Sequence, residues 1–242
     1  MPFGRSFAHQ DLSPTMPSPS AVPRKLIVLG DSGVYGWGDP EEGGWCERLR
    51  RHWMGLPEGP VLYALGVRGD GLERVRGRLH QEVSGRGELR RQLPQGILLA
   101  VGLNDTARVG RPDGRPQLSA DAFLFGLQEL LAQASALAPT HLLGLTPVLE
   151  EAMPFAGVLW YDLQAVRHYE ALMEEAALAA DVPFLPLLEG VLQEPQWQRW
   201  LCSDGIHLNS EGHAHVAARV RRWPALQRWA GLESLELATS LR

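Results

Sequence analysis

Short, almost entirely apolar runs alternate with longer amphipathic segments along most of this chain, and that alternation restricts the folds open to it. The longer segments, such as 121–137 and 161–180, place their apolar residues on one stripe at helical spacing. Strands that are apolar throughout are typical of sheets covered by helices on both faces. We therefore predict an α/β fold of three layers, built on a doubly wound, parallel, five-stranded sheet with right-handed crossovers. The predicted strands are 25–29, 61–65, 96–101, 141–145 and 182–187.

The helices are predicted from the same pattern and from capping residues. Asn209 or Ser210 is a suitable N-cap for a last helix that runs through Arg222, and Pro224 is expected to stop it. The other predicted helices are 45–53, at least one within 71–91, 121–137 and 161–180.

The amino-acid composition indicates one large domain. With 242 residues, 45% of them apolar, the chain can bury a substantial core. We expect residues 24–230 to form that domain. A Pro/Ser-rich leader over residues 1–23 is predicted to be disordered, and residues 231–242 are predicted to form a tail.

Charge, cysteine and lysine content exclude several classes of function. A formal net charge of -5 does not supply the basic surface that nucleic-acid binding needs. Cys46 and Cys202 form no metal-ligand spacing and suit a reducing compartment as free thiols. No apolar run reaches membrane-spanning length, and the leader lacks the apolar stretch of a secretory signal, so we predict a cytoplasmic protein. Lys25 is the only lysine, which leaves no Walker A lysine and no plausible Schiff-base lysine.

Polar motifs follow the first three predicted strands at the point where each strand ends. Gly30-Asp31-Ser32 follows the first, Gly69-Asp70 the second, and Gly102-Leu103-Asn104-Asp105 the third. Because the carboxyl ends of parallel strands meet at one edge of a sheet, we expect these motifs to lie together. A fourth motif, Asp204-Gly205-Ile206-His207, precedes the last predicted helix.

These residue types in this order point to acyl transfer. A serine hydroxyl such as that of Ser32 becomes nucleophilic when a base takes its proton. Asp204 could bind Nδ1 of His207 and leave Nε2 facing Ser32. The backbone N–H groups of Ser32 and Gly69 and the side-chain amide of Asn104 could stabilise an oxyanion.

Each motif alone has a simpler structural interpretation. Ser32 could be a helix N-cap, and Asp-Gly-Ile-His could be a plain turn before a helix. Asp70 and Asp105 are assigned to helix-capping turns, and Asp31 to turn geometry or to support of the site. The combination favours the catalytic interpretation, because independent turns have no reason to supply nucleophile, donors and base in this order.

In these four motifs the chain resembles the SGNH hydrolases, also called GDSL esterases and lipases, over about residues 25–222. The resemblance implies a flavodoxin-like sheet, a catalytic triad of Ser32, Asp204 and His207, an oxyanion hole of Ser32, Gly69 and Asn104, and no metal or cofactor. The implied substrate is a small-molecule acyl ester or thioester. The chain departs from the family pattern at three places. Gly33 stands where the family often has leucine, and Ala64 stands where an asparagine is common. Leu208-Asn209 follows His207 in place of the usual proline-containing turn. These departures leave subfamily and substrate open.

Two other functions remain compatible with the same residues. One is an acyltransferase, in which another alcohol replaces water, and the other is a catalytically silent member that binds an ester or a protein partner.

The chain has no Gly-x-Ser-x-Gly elbow, which argues against an α/β-hydrolase. His213 and His215 point to different helix faces and make no zinc pair. Acyl length, leaving group and oligomeric state do not follow from the sequence. Four tryptophans are interpreted mainly as packing residues, of which one or two could line an acyl pocket: Trp37, Trp160, Trp197 and Trp200.

Overall fold

The computed structural model describes residues 23–87 and 92–232. Most of the predicted leader and tail, residues 1–22 and 233–242, lie outside these ranges. Among the described residues, no helix combines the length and the apolar character that crossing a membrane requires.

A parallel sheet of five strands forms the centre of the fold, and its strand order is β2-β1-β3-β5-β7. Two further strands, β4 and β6, form a separate antiparallel pair. The seven strands of the described residues are β1 (Lys25–Gly30), β2 (Val61–Gly66), β3 (Gly96–Ala100), β4 (Arg108–Val109), β5 (Thr140–Leu143), β6 (Leu159–Trp160) and β7 (Phe184–Leu185).

Helices cover both faces of the sheet, which confirms the predicted three-layer α/β fold. One face packs against α3, α5 and α6, and the other against α1, α2, α8 and α9. The described α-helices are α1 (Ser32–Tyr35), α2 (Gly44–Met54), α3 (Leu72–Gly85), α4 (Leu103–Thr106), α5 (Ala120–Leu137), α6 (Leu163–Ala179), α7 (Leu188–Leu192), α8 (Ser210–Arg221) and α9 (Pro224–Ala230).

The central strand β1 shows why the strand sequences are apolar throughout. Ile27 and Leu29 point into the core under α3 and α5, whereas Leu26 and Val28 point into the core under α2 and α8. All four side chains are fully buried. Because successive side chains of a strand face opposite sides of the sheet, a strand covered on both faces must be apolar at every position.

Prolines explain two differences from the sequence predictions, at β7 and after the end of α8. β7 has only two residues because Pro183 and Pro186 flank it and cannot donate hydrogen bonds to the ladder. Asn209 caps α8 as predicted, by accepting a hydrogen bond from the Gly212 N–H at 3.1 Å. α8 ends at Arg221, before Pro224 as predicted, but it is not the last helix. Pro224 begins α9, where its missing N–H costs nothing because the first helical turn leaves its N–H groups unpaired.

A buried carboxylate holds the chain between β5 and α7. Oε1 of Glu170, on α6, accepts hydrogen bonds from the backbone N–H groups of Leu145, Leu187 and Leu188 at 2.9, 3.0 and 3.2 Å. Burial raises the pKa of Glu170, and these three donors oppose that shift. The same oxygen lies where a side chain at residue 144 would begin, so Gly144 is required there.

We expect Glu170→Ala to lower the free energy of unfolding by about 3 kcal/mol or more, because three buried N–H groups lose their acceptor. Glu170→Gln keeps an accepting oxygen and should cost about 1 kcal/mol. Urea unfolding of both variants, with the exposed Glu174→Ala as control, measures the difference. Equal stabilities for Glu170→Ala and Glu174→Ala would contradict this role.

Candidate active site

Ser32 begins α1 immediately after β1, at the carboxyl edge of the sheet. The turn is tight because Asp31 caps this helix, accepting a hydrogen bond from the Gly33 N–H at 2.8 Å. A Cβ atom at Gly30 would lie 2.2 Å from the Ala100 carbonyl oxygen on the neighbouring strand. Only glycine therefore allows β1 to approach β3 at this point, and the close approach fixes where Ser32 emerges.

Ser32, His207 and Asp204 form a continuous hydrogen-bonded chain. The Ser32 Oγ lies 2.9 Å from Nε2 of His207, and Nδ1 of that ring lies 2.7 Å from Oδ2 of Asp204. The other carboxylate oxygen of Asp204 accepts from the backbone N–H groups of Ile206 and His207 at 3.1 and 3.0 Å. Ser32 and His207 are both buried, at 9% and 8% exposure, so the contacts between them are largely shielded from water.

The charge of Asp204 is maintained by its partners. Burial alone would raise the pKa of this carboxyl, but hydrogen bonds from the His207 ring and from two backbone N–H groups lower it below its usual value. Asp204 therefore stays ionised and holds the proton of the imidazole on Nδ1. The other ring nitrogen, Nε2, is left to accept a proton from the Ser32 hydroxyl.

Asn104 lies against the same turn, in α4 after β3. Its amide nitrogen donates to the Asp70 carbonyl oxygen at 3.0 Å and contacts Oδ2 of Asp31 at 3.3 Å. The Tyr161 hydroxyl donates to the amide oxygen of Asn104 at 3.4 Å. These contacts hold the Asn104 amide beside the residue that precedes Ser32.

The two backbone donors predicted for an oxyanion hole are unoccupied. Within residues 23–87 and 92–232, no acceptor lies within hydrogen-bond distance of the N–H of Ser32 or of Gly69. Gly69 has a φ of +79° and precedes Asp70, whose carbonyl binds Asn104. Its backbone is exposed and its Cβ position faces open space. The structure thus brings Ser32, Asn104, Asp204 and His207 together and places Gly69 one residue from the Asn104 contact.

The acidic residues predicted to cap turns have more specific partners. Asp105 binds the N–H of Leu72, the first residue of α3, through both carboxylate oxygens at 3.2 and 3.0 Å, so it caps a neighbouring helix. Asp70 forms an ion pair with Arg78 at 2.9 Å. No sequence signal identifies this role of Arg78, because Asp70 and the carbonyl groups of Gly30 and Leu65, which it binds, come from other elements.

The carboxyl groups of Asp31 and Asp105 have strongly raised pKa values. Burial raises the pKa of Asp105 to about 7, opposed by the hydrogen bonds from Leu72 and reinforced by the nearby Asp31 carboxyl. Burial likewise raises the pKa of Asp31 to about 6, with a smaller contribution from Asp70. Ionisation of these groups therefore destabilises the folded state near neutral pH.

Aromatic side chains flank the imidazole of His207 on two sides. The rings of Trp37 and Phe155 meet it edge-on, with centroid distances of 6.2 and 5.8 Å. The Arg68 guanidinium carbon lies 3.4 Å from the Trp37 ring centroid. Of the four tryptophans considered from sequence, Trp37 is thus the one that contacts a predicted catalytic residue. Neither Phe155 nor Arg68 was identified from the sequence.

A small apolar cavity of about 70 Å³ adjoins the same imidazole. Its walls come from α1, α2, α8 and the strand ends, and include Val34, Trp45, Leu143, Leu145, Leu187 and Val216. Hydrocarbon parts of a small ligand can be buried against such a surface.

His213 and His215 have structural contacts. His213 accepts from the Trp45 N–H through Nδ1 and donates to the Trp37 carbonyl oxygen through Nε2, both at 3.1 Å. The His215 ring stacks on Trp200 with 4.2 Å between centroids. Cys46 and Cys202 are free thiols. Among the described residues, no group of three or more His, Cys, Asp or Glu side chains is arranged to hold a metal ion.

Comparisons with known proteins agree with this fold. The model of the GDSL-like Lipase/Acylhydrolase family matches residues 28–215. The chain therefore belongs to the GDSL-like lipase/acylhydrolase family, whose members hydrolyse esters. A search of curated protein sequences found no match.

Several solved structures share the fold at low sequence identity. The lipase/acylhydrolase from Enterococcus faecalis has a TM-score of 0.66 at 20% identity, covering 82% of this chain and 94% of that one. A catalytic mutant of the acetylxylan esterase Axe2 from Geobacillus stearothermophilus has a TM-score of 0.63 at 15% identity, with coverages of 83% and 93%. The psychrotrophic esterase EstA from Pseudoalteromonas sp. has a TM-score of 0.63 at 15% identity, with coverages of 85% and 98%.

The raised pKa of Asp105 predicts a pH-dependent stability. In the unfolded chain an aspartate has a pKa of about 3.9. Between about pH 4 and 7, Asp105 of the folded protein therefore keeps a proton that the unfolded chain has lost. The free energy of unfolding contributed by Asp105 therefore falls as the pH rises through this range. The difference between wild type and Asp105→Asn should fall by about 1 kcal/mol per pH unit between about pH 5 and 6.5.

Urea unfolding at several pH values measures that difference. Asp113→Asn is the matched control, because the Asp113 side chain is 80% exposed and should not alter the slope. Parallel stability curves for wild type and Asp105→Asn would show that Asp105 is ionised in the folded state throughout.

Proposed function

We propose that this protein is a serine hydrolase that cleaves small carboxylic esters or thioesters through an acyl-serine intermediate. The observation that carries the proposal is the chain from Ser32 Oγ to His207 Nε2 at 2.9 Å and from His207 Nδ1 to Asp204 at 2.7 Å. This is the arrangement in which an imidazole can take a proton from a serine and later return it to a leaving group.

In the proposed mechanism, the Ser32 oxygen attacks the carbonyl carbon of the ester while His207 Nε2 takes its proton. Asp204 stabilises the imidazolium that forms. The tetrahedral intermediate expels the alcohol or thiol, which receives the proton from Nε2. Water then attacks the acyl-serine with the same imidazole as base and releases the acid.

The Ser32 N–H, the Gly69 N–H and the Asn104 amide are proposed to bind the oxyanion of both intermediates. The two N–H groups lack other acceptors among the described residues. The Asn104 amide nitrogen lies 3.3 Å from Oδ2 of Asp31, and the N–H on this side is the one available to the oxyanion, while the bond to the Asp70 carbonyl keeps the amide in place. Donors fixed before the reaction stabilise developing charge without reorganisation.

The apolar cavity beside His207 is a suitable place for the acyl group. An engineered apolar cavity of about 150 Å³ accepts benzene, so a cavity about half as large favours an acyl chain of a few carbons.

We also propose that residues 24–230 act as one domain and that the protein works in the cytoplasm, where the thiols of Cys46 and Cys202 would stay reduced.

A fluorophosphonate should label Ser32, because its phosphorus is attacked by an activated serine oxygen. Ser32→Ala should abolish the label and lower kcat by several orders of magnitude with little change in stability. Asp204→Asn should slow labelling strongly, because the ring loses its orienting partner. Mass spectrometry of the adduct identifies the serine.

Ser84→Ala serves as a control in this experiment, because Ser84 lies on the exposed end of α3. An adduct on another serine of the folded protein, or none, would overturn the assignment. Adding an alcohol acceptor during turnover distinguishes hydrolysis from transfer, because an acyltransferase would make a new ester in preference to the free acid.

Asn104→Ala should lower kcat by about 10²–10³, the effect of one lost oxyanion donor. KM should change much less, since this hydrogen bond strengthens as charge develops in the transition state. Steady-state kinetics at matched concentrations of folded protein measure both constants. A near-wild-type kcat would leave Asn104 as a structural residue that joins Asp31 to Asp70.

A further inference from the structure

Arg68 lies at the mouth of the proposed active site, between the end of β2 and Gly69. Its side chain extends over the indole of Trp37, with the guanidinium carbon 3.4 Å from the ring centroid. A cation that stacks on an aromatic face at this distance is held in a defined place. The planar group keeps its N–H donors at its edge, where stacking leaves them available.

The stacked guanidinium is close to the reacting groups. The Trp37 ring lies edge-on to His207 at 6.2 Å between centroids. Since this distance and the 3.4 Å stacking distance share the Trp37 ring, the guanidinium carbon can be no farther from the His207 imidazole than their sum, about 10 Å. A small substrate bound at Ser32 spans such a distance.

The positive charge of Arg68 is not neutralised by a neighbouring side chain. Within residues 23–87 and 92–232, no carboxylate lies within ion-pair distance of Arg68. The carboxylates nearest to the site already have partners. Asp70 binds Arg78, and Asp204 binds His207. Arg68 is thus an exposed, oriented and unpaired cation beside the proposed nucleophile.

We propose that Arg68 is a specificity-determining residue that binds an oxyanion group, a carboxylate or a phosphate, on the ester substrate. This inference rests on the proposed hydrolase function. A guanidinium offers two parallel N–H donors to such a group, and the resulting charge-assisted hydrogen bonds are stronger than those between neutral groups. The preferred substrates would be anionic esters. Their charged group would lie within about 10 Å of the scissile bond, the greatest distance between the guanidinium carbon and the His207 imidazole.

The alternative role of Arg68 is to hold Trp37 against His207. That role predicts equal effects on charged and neutral substrates, whereas anion recognition predicts an effect confined to the charged ones. Matched pairs of esters, in which one ester carries an anionic group and the other carries the same group in a neutral form, separate the two roles.

Three comparisons place the charge in different positions. With the charge on the alcohol side, 4-acetoxybenzoate is compared with its neutral methyl ester. With the charge on the acyl side, 4-nitrophenyl hydrogen adipate is compared with its methyl ester. A phosphate is tested with 4-acetoxyphenyl phosphate against its neutral dimethyl phosphate ester. kcat/KM is measured for each after subtraction of the rate without enzyme.

In at least one pair, Arg68→Gln should lower kcat/KM for the anionic ester about tenfold and change the neutral ester less than twofold. Arg68→Lys should retain part of the preference, because it keeps the charge but loses the planar pair of donors. Added salt should reduce the wild-type preference. Arg74→Gln is the matched control, since Arg74 is an exposed arginine on α3 and its loss should preserve the preference.

Equal losses on charged and neutral esters would overturn the inference and assign Arg68 to the support of Trp37. Unchanged kinetics for every pair would overturn it as well. Failure of the underlying function has a different signature: Ser32→Ala would still hydrolyse the neutral esters. If neutral hydrolysis depends on Ser32 but charge selectivity does not depend on Arg68, only the specificity assignment fails.

Discussion

Arg78 joins the carboxyl ends of β1 and β2, and the geometry of the site depends on this junction. One guanidinium nitrogen donates to the Gly30 carbonyl oxygen at 2.9 Å and to the Leu65 carbonyl oxygen at 2.8 Å. Another donates to Asp70 at 2.9 Å. The Gly30 carbonyl oxygen also accepts from the Val67 N–H at 3.0 Å, so the guanidinium adds a second donor to it. One side chain on α3 therefore ties both strand ends to Asp70, in the segment that contains Gly69.

The same edge of the sheet buries carboxyl groups whose ionisation is unfavourable. Asp105 fixes the first residue of α3, and Asp31 caps the short helix that begins with Ser32. Both have raised pKa values because burial disfavours the charged form. Asp204 has the opposite shift because the imidazole and two backbone N–H groups stabilise its charge. Within one site, the carboxyl group that pairs with the proposed base is kept ionised, while the two that hold the backbone have pKa values of about 6 and about 7.

Sequence alone was sufficient to predict the sheet and the contacts among Ser32, His207 and Asp204. β1 is apolar at every position from Leu26 to Leu29, which only a strand covered on both faces explains. The approach of His207 to Ser32 could be anticipated. Ser32 follows the first predicted strand at the carboxyl edge of the sheet, and Asp204 lies three residues before His207, where it can orient the imidazole. These predictions rest on local pattern and on the rule that parallel strands end at one edge.

The contacts that sequence could not predict join residues from different elements. Glu170 binds backbone N–H groups after β5 and β7, and Arg78 binds carbonyl groups of β1 and β2. Nothing in the neighbouring residues distinguishes either side chain from an exposed charge on a helix. The start of α9 at Pro224 is a different kind of error, because proline both ends one helix and is favoured in the first turn of another.

Substrate choice in this fold must come from the side chains around the site, because the backbone is shared by proteins of different specificity. A lipase/acylhydrolase, an acetylxylan esterase and a psychrotrophic esterase all match this chain with TM-scores of 0.63 to 0.66. The residues around His207 that could discriminate between esters lie on connections at the carboxyl edge of the sheet: Trp37 after α1, Arg68 after β2, and Phe155 between β5 and β6. Trp37 and Arg68 can vary without disturbing the core, since neither belongs to it, whereas Phe155 packs against the core under α3, α5 and α6. A change at Arg68 can therefore alter which ester is accepted while the Ser32–His207–Asp204 chain, held by β1 and by the turn before α8, stays as it is.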